Sequence, residues 1–165
     1  MILEILKFVH VAFGAVGIGT GAWVVFGILK GKLFKKWTVV FLDCALVVSV
    51  TGLLFPFNHF FPTHWVAMSA VYVSGVAVLA MRKYHLADIW ALIFALSIML
   101  VLCLDILVVI AHVFAMLIPT QPKLLFLITE LMAMLFFAGL DLFIVRRYRN
   151  SSANAAVRLL VNGCN

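Results

Sequence analysis

Met99-Leu-Val-Leu-Cys-Leu-Asp-Ile-Leu-Val-Val-Ile-Ala-His112 is the middle of an apolar run that extends from Leu92 to Ile118. At ~1.5 Å per residue such a run makes a helix long enough to cross the ~30 Å core of a bilayer. Asp105 and His112 interrupt it. A carboxyl near mid-bilayer costs about 2.5–3.5 kcal/mol on insertion scales, so Asp105 needs a partner, a proton or a cavity. The remaining apolar stretches are the elements that would supply one.

The whole chain shares this character. Its 165 residues are 67% hydrophobic and 11% charged, with a mean hydropathy of +1.25. A soluble domain is nearer half apolar and a quarter charged. In lipid the backbone must satisfy its own hydrogen bonds, which leaves helices or a closed barrel. The apolar runs are continuous, without the period-2 alternation of barrel strands, so helices are expected. The formal net charge of +6 lies between apolar spans. It therefore reads as orientation and lipid-headgroup contact and gives no reason to expect a nucleic acid partner. Cys44, Cys103 and Cys164 are isolated, and no CxxC occurs, so neither a disulfide framework nor a zinc site is expected.

The expected fold is an all-α polytopic transmembrane bundle of about five helices, at residues 2–29, 37–57, 65–81, 89–118 and 124–145. The transmembrane domain covers residues 1–149, and a polar C-terminal tail covers 150–165. The first span has no basic n-region and no small-residue cleavage site, so it is expected to be retained and not to be a signal peptide. Basic residues decide orientation. Lys30, Lys32, Lys35, Lys36, Arg82, Lys83, Arg146, Arg147, Arg149 and Arg158 fall on one side, and only Lys7 and Lys123 on the other. The positive-inside rule then puts the N-terminus outside and the C-terminus in the cytoplasm. No internal repeat of the kind found in many transporters is visible.

His10, His112 and Glu130 fall in the outer halves of their spans. Asp105 is seven residues from His112, about 10 Å deeper on the same helix face. Asp43 and Asp141 fall nearer the cytoplasmic end. These six form the expected intramembrane polar layer. Gly14, Gly17 and Gly21 follow His10 along one face of the first span and include a GxxxG. They read as a helix-packing or ligand groove, not as a dinucleotide loop, since no strand precedes them.

Three readings of the layer stay open. His10 and His112, on separate helices, are candidate metal ligands that could hold a haem b or a chlorophyll-type pigment. Alternatively, the acids and histidines relay protons or hydrogen-bond a quinone, with Asp105 as the mid-membrane station. The plainest reading is that they bond one another across helices and fix the packing. His59 and His64 lack a third ligand, and His85 sits among loop cations. No catalytic triad or phosphate loop is present.

Several stretches carry a resemblance. They are Val9-His10-Val-Ala-Phe-Gly14, Lys30-Gly-Lys-Leu33, Thr51-Gly-Leu53, Trp65-Val-Ala-Met68, Tyr72-Val-Ser-Gly-Val-Ala-Val-Leu79, Pro119-Thr-Gln121 and Phe126-Leu-Ile-Thr-Glu-Leu131. Across residues 8–145 the chain resembles small multi-pass bacterial inner-membrane proteins that share a domain of unknown function. Those proteins look similar at His10 and often have a further histidine in the first basic loop, where this chain has Phe34. Similar chains often carry amides at the positions of Asp105, His112 and Glu130, which implies hydrogen bonding there more than obligatory metal ligation. The resemblance implies no activity.

The expected function is that of a non-catalytic accessory subunit or small-ligand-binding component of a larger membrane complex. It would sit in the bacterial cytoplasmic (inner) membrane, with lipid and other membrane subunits as partners. The alternative is a proton-coupled carrier or a redox protein binding haem, quinone or pigment.

Overall fold

Every apolar run becomes a helix in the computed structural model of the protein. It describes residues 2–54, 62–117 and 123–162, with side chains over 4–54, 65–114 and 123–150. The helices are α1 (Ile2–Leu29), α2 (Lys35–Leu53), α3 (Pro62–Arg82), α4 (Ile89–Leu117) and α5 (Lys123–Asn162). All five contain a stretch long and apolar enough to cross a membrane.

Three boundaries differ from the sequence reading. α2 starts two residues earlier than expected and ends at Leu53. α3 begins at Pro62, inside the segment read as a loop. Proline suits a first helical position because its missing N–H would have no partner there. The largest difference is the tail: α5 runs through residues 150–162 without a break. That stretch has no Gly or Pro, and Ala153, Ala155, Ala156, Arg158, Leu159 and Leu160 are good helix formers. At forty residues α5 is about 60 Å long, twice the thickness of a hydrocarbon core. Residues 55–61 and 118–122, which hold most of the expected second and fourth connections, lie outside the described residues.

Short connections between long helices make consecutive helices antiparallel neighbours. Here α1 packs on α2, α2 on α3 and α3 on α4, and α4 returns to α1, which closes a ring of four. α5 lies outside that ring, against α4. The core is the ring's interior. Val24, Phe41, Leu42, Ala77, Ala80, Ile98, Met99 and Val101 are fully or almost fully enclosed there. Helix burial follows position in the ring. Half of the most apolar stretch of α4 is buried, against 11% for α5.

The basic connections fall at one end of the bundle. There the α1–α2 turn passes through Gly31 at φ +72°, a backbone region open to glycine without strain. The α3–α4 turn does the same without glycine: His85, Leu86 and Asp88 have φ of 51°, 58° and 44°. Aromatic rings line this end. Trp23 stacks on Phe26 and Phe34, Tyr84 lies flat on Trp90, and Lys30 sits 4.1 Å over the Phe26 ring. Such rings suit the boundary between headgroups and acyl chains.

Candidate functional site

The seam between α1 and α2 organises the polar groups. Gly14, Gly17 and Gly21 do not line an open slot. Their missing side chains leave room for Val48, Cys44 and Phe41 of α2. A Cβ on Gly21 would lie 2.6 Å from the Phe41 ring and 2.9 Å from Leu102. The groove is therefore occupied by the neighbouring helices, as small-residue seams in membranes commonly are.

His10 extends the same seam upward. Its Nδ1 is 2.8 Å from Thr51 Oγ1. The Thr51 hydroxyl has one proton, and it is directed at the carbonyls of Val47 and Val48 in its own helix, at 2.7 and 3.0 Å. The hydroxyl oxygen is left to accept, so His10 Nδ1–H is the donor in this contact. His112 reaches the same height from α4. Gly21 is level with Leu102, and eleven residues back along α1 and ten forward along α4 arrive at His10 and His112. The two rings are near enough to interact electrostatically. His112 itself is exposed.

The acids do not join that layer. Asp105 is half-buried a level lower, where its charge reaches Cys44 of α2. Asp43, next to Cys44, belongs to the same level but turns outward and is exposed. The sequence reading placed Asp43 nearer the cytoplasmic end. With α2 spanning Lys35–Leu53, Asp43 is close to the middle of its helix. Asp141 of α5 lies near Cys103 of α4, with one carboxyl oxygen, Oδ1, buried and without a hydrogen-bond partner. Glu130 is half-buried on α5, with no ion pair among the described residues. Among the described residues the one salt bridge is Lys7–Glu4, at 3.1 Å on the exposed start of α1.

The groups thus lie at graded depth: His10–Thr51 with His112 uppermost, Asp105 and Asp43 around Cys44 below, and Asp141 beside Cys103, less than one turn lower on α4 than Asp105. Sequence reasoning gave Thr51 no role and read Cys44 and Cys103, both buried free thiols, only as isolated cysteines. Thr51 had a readable signal, being a hydroxyl deep in an apolar span one residue before Gly52, whose missing side chain leaves room for the His10 ring at 3.5 Å. Cys44 and Cys103 had none, since cysteine is an ordinary buried residue.

Chemically, the upper layer offers one oriented imidazole and a second at its height. The middle layer offers a carboxyl screened from water but not paired. Among the described residues no three His, Cys, Asp or Glu side chains gather as a multidentate metal site requires. Compared with models of protein families, with curated proteins and with solved structures, the chain matches none.

Proposed function

We propose that this chain is a non-catalytic, five-span accessory subunit of a larger complex in a bacterial cytoplasmic membrane, oriented N-out and C-in. Orientation is supported by the ten basic residues gathered at the end shared by the α1–α2 turn, the α3–α4 turn and the lower half of α5. The resemblance to small multi-pass inner-membrane proteins, on the residues quoted above, agrees with this placement.

The observation that carries the reading is Asp43. It is exposed near the middle of α2, flanked by the exposed Val39, Val40 and Val50. In a lone bundle that face would meet acyl chains, at a cost of about 2.5–3.5 kcal/mol for the carboxyl. A neighbouring transmembrane helix with a cationic or hydrogen-bonding side chain removes the cost. The accessory subunit exists to be covered there.

The test is electrophoresis of the native, detergent-extracted membrane. The wild-type chain should migrate in a particle well above its own 18.3 kDa, and Asp43→Lys should release it to a smaller one. Identical migration of both, with the variant folded by its helix content, would overturn the reading.

Asp105 supports a second reading, a proton-coupled carrier: it is half-buried, unpaired and mid-membrane. If it cycles a proton, Asp105→Asn abolishes proton-coupled uptake in vesicles while leaving assembly intact. A visible absorption spectrum of the purified particle separates both from a haem or pigment protein, with His10 and His112 as the ligands to be replaced.

A further inference from the structure

At the basic end a cleft of 270 Å³ opens between α1, α4 and α5. Its floor is apolar: Ile28 and Leu29 of α1, Ala91, Leu92 and Ala95 of α4, and Phe143 and Ile144 of α5. Arg147 and Tyr148 stand at its rim. The volume is close to the ~300 Å³ at which small-ligand clefts begin. It lies where α5, held mainly by α4, leaves a gap beside α1.

Arg147 has a defined position. One guanidinium nitrogen donates to the Leu29 carbonyl at the C-terminus of α1, where helix carbonyls lack internal partners and a cation is favoured. Gly31 keeps the space beside it open. A Cβ there would come within 3.1 Å of Nη2. A guanidinium has five N–H donors, so this contact leaves most of them available. Among the described residues Arg147 has no carboxylate within ion-pair distance, and it is exposed. Arg146 and Arg149 flank it in sequence, and Lys30 and Lys32 flank Gly31, which it meets across the cleft; all four add charge of the same sign. An uncompensated, oriented guanidinium above an apolar floor, at the boundary of a membrane, matches a molecule with an anionic head and a hydrocarbon body.

We propose that this cleft binds an anionic phospholipid, with an acyl chain along the α1–α4–α5 floor and the headgroup phosphate on Arg147. The lipid would fill the gap beside α5 and bridge it to the ring. This proposal is independent of the partner read from Asp43.

The test is native mass spectrometry of delipidated, detergent-purified protein titrated with dioleoyl phosphatidylglycerol or dioleoyl phosphatidylcholine. The first phosphatidylglycerol should bind at least about fivefold tighter than phosphatidylcholine, the worth of one basic group near a phosphate. Arg147→Gln should remove that preference, and Arg147→Lys should restore part of it. Ala91→Phe, which fills the floor and leaves Arg147 in place, should weaken both lipids. Millimolar inorganic phosphate should not displace the lipid. Equal affinity of the wild type for the two lipids would overturn the proposal without recourse to any variant. So would a preference that survives Arg147→Gln, or displacement by free phosphate together with indifference to Ala91→Phe, which would mark a plain anion site. Helix content measured on each variant separates loss of binding from loss of fold.

Discussion

α4 and the first part of α5, residues 124–145, are made of nearly the same residues and have different surroundings. Both are long runs of Leu, Ile, Met and Phe, and each is interrupted by two ionisable side chains: Asp105 and His112 in one, Glu130 and Asp141 in the other. α4 is the hub. It touches α3, α1 and α5, and its Ile98, Met99 and Val101 are sealed in the core. α5 rests on α4 and leaves Leu127, Met132, Leu135, Phe136 and Leu142 more than half exposed. Lipid tails are as apolar as leucine, so hydropathy cannot distinguish a helix facing protein from one facing lipid. The distinction lies in packing, and packing is where it can be tested.

The largest effect should come from removing a ring. Phe41 is fully buried between Gly21 of α1 and the ring's core. Phe136 of α5 is 63% exposed. Because both rings are in apolar surroundings before and after unfolding within the membrane, little transfer energy is at stake. The cavity and its lost contacts remain. Phe41→Ala should therefore destabilise by about 3 kcal/mol, near the lower end for buried aromatics, and Phe136→Ala by less than ~0.5 kcal/mol. Thermal unfolding in a single detergent would show the gap. Equal effects would mean that α5 is covered as thoroughly as α2.

The same comparison shows what was legible in advance. Five spans, their order and their basic end follow from run length and from Lys and Arg alone, because the bilayer sets helix length and the backbone has no alternative in lipid. For the site, counting residues put His10 and His112 in the outer halves of their helices and went no further. The ring of four with α5 outside could not be read, since no sequence feature says which apolar face meets protein. Asp43 shows the cost of a small boundary error: starting α2 at Lys35 and, more, ending it at Leu53 puts the carboxyl near mid-helix. The α3–α4 turn hid for another reason. Left-handed residues usually announce themselves as glycine, and here they are His85, Leu86 and Asp88, so the turn's shape is imposed by the helices it joins. The last helix runs past residue 145, the end expected for the fifth span, because polar composition marks where a span leaves the apolar layer and nothing in residues 150–162 stops a helix.

A second comparison uses the glycines and should give a smaller effect. Gly21→Ala drives a methyl into Phe41 and Leu102, an overpacking that typically costs about 1–3 kcal/mol. Gly139 of α5 has nothing within 4 Å of an added Cβ. Gly139→Ala should be neutral or stabilising, by up to ~1 kcal/mol, because alanine is the better helix former. If both substitutions are tolerated alike, the seam between α1 and α2 is looser than its distances imply. If Gly139→Ala destabilises, a partner or a second helix closes on α5.

The smallest effect concerns two threonines with the same internal habit. Thr51 and Thr129 each direct their hydroxyl proton back to a carbonyl in their own helix, Thr51 to Val47 and Val48 and Thr129 to Leu125 at 2.9 Å. Valine is nearly the same shape, and losing such a local bond leaves the helix ladder intact. Only Thr51 also accepts from another helix, through His10. Thr51→Val leaves the imidazole N–H without that acceptor in a layer with little water, and interhelical bonds in membranes average about 0.6 kcal/mol with a ceiling near 1.7. Thr51→Val should lower stability by an amount in that range, and Thr129→Val by nothing measurable. The attribution to His10 needs a double-mutant cycle, because a valine could also shift the α1–α2 seam. With His10→Leu as the second change, Thr51→Val should become nearly neutral, since the donor that required the hydroxyl is gone. A full loss persisting in the His10→Leu background would assign the effect to the seam. His10 and Thr51 would then be neighbours in space without being partners in energy.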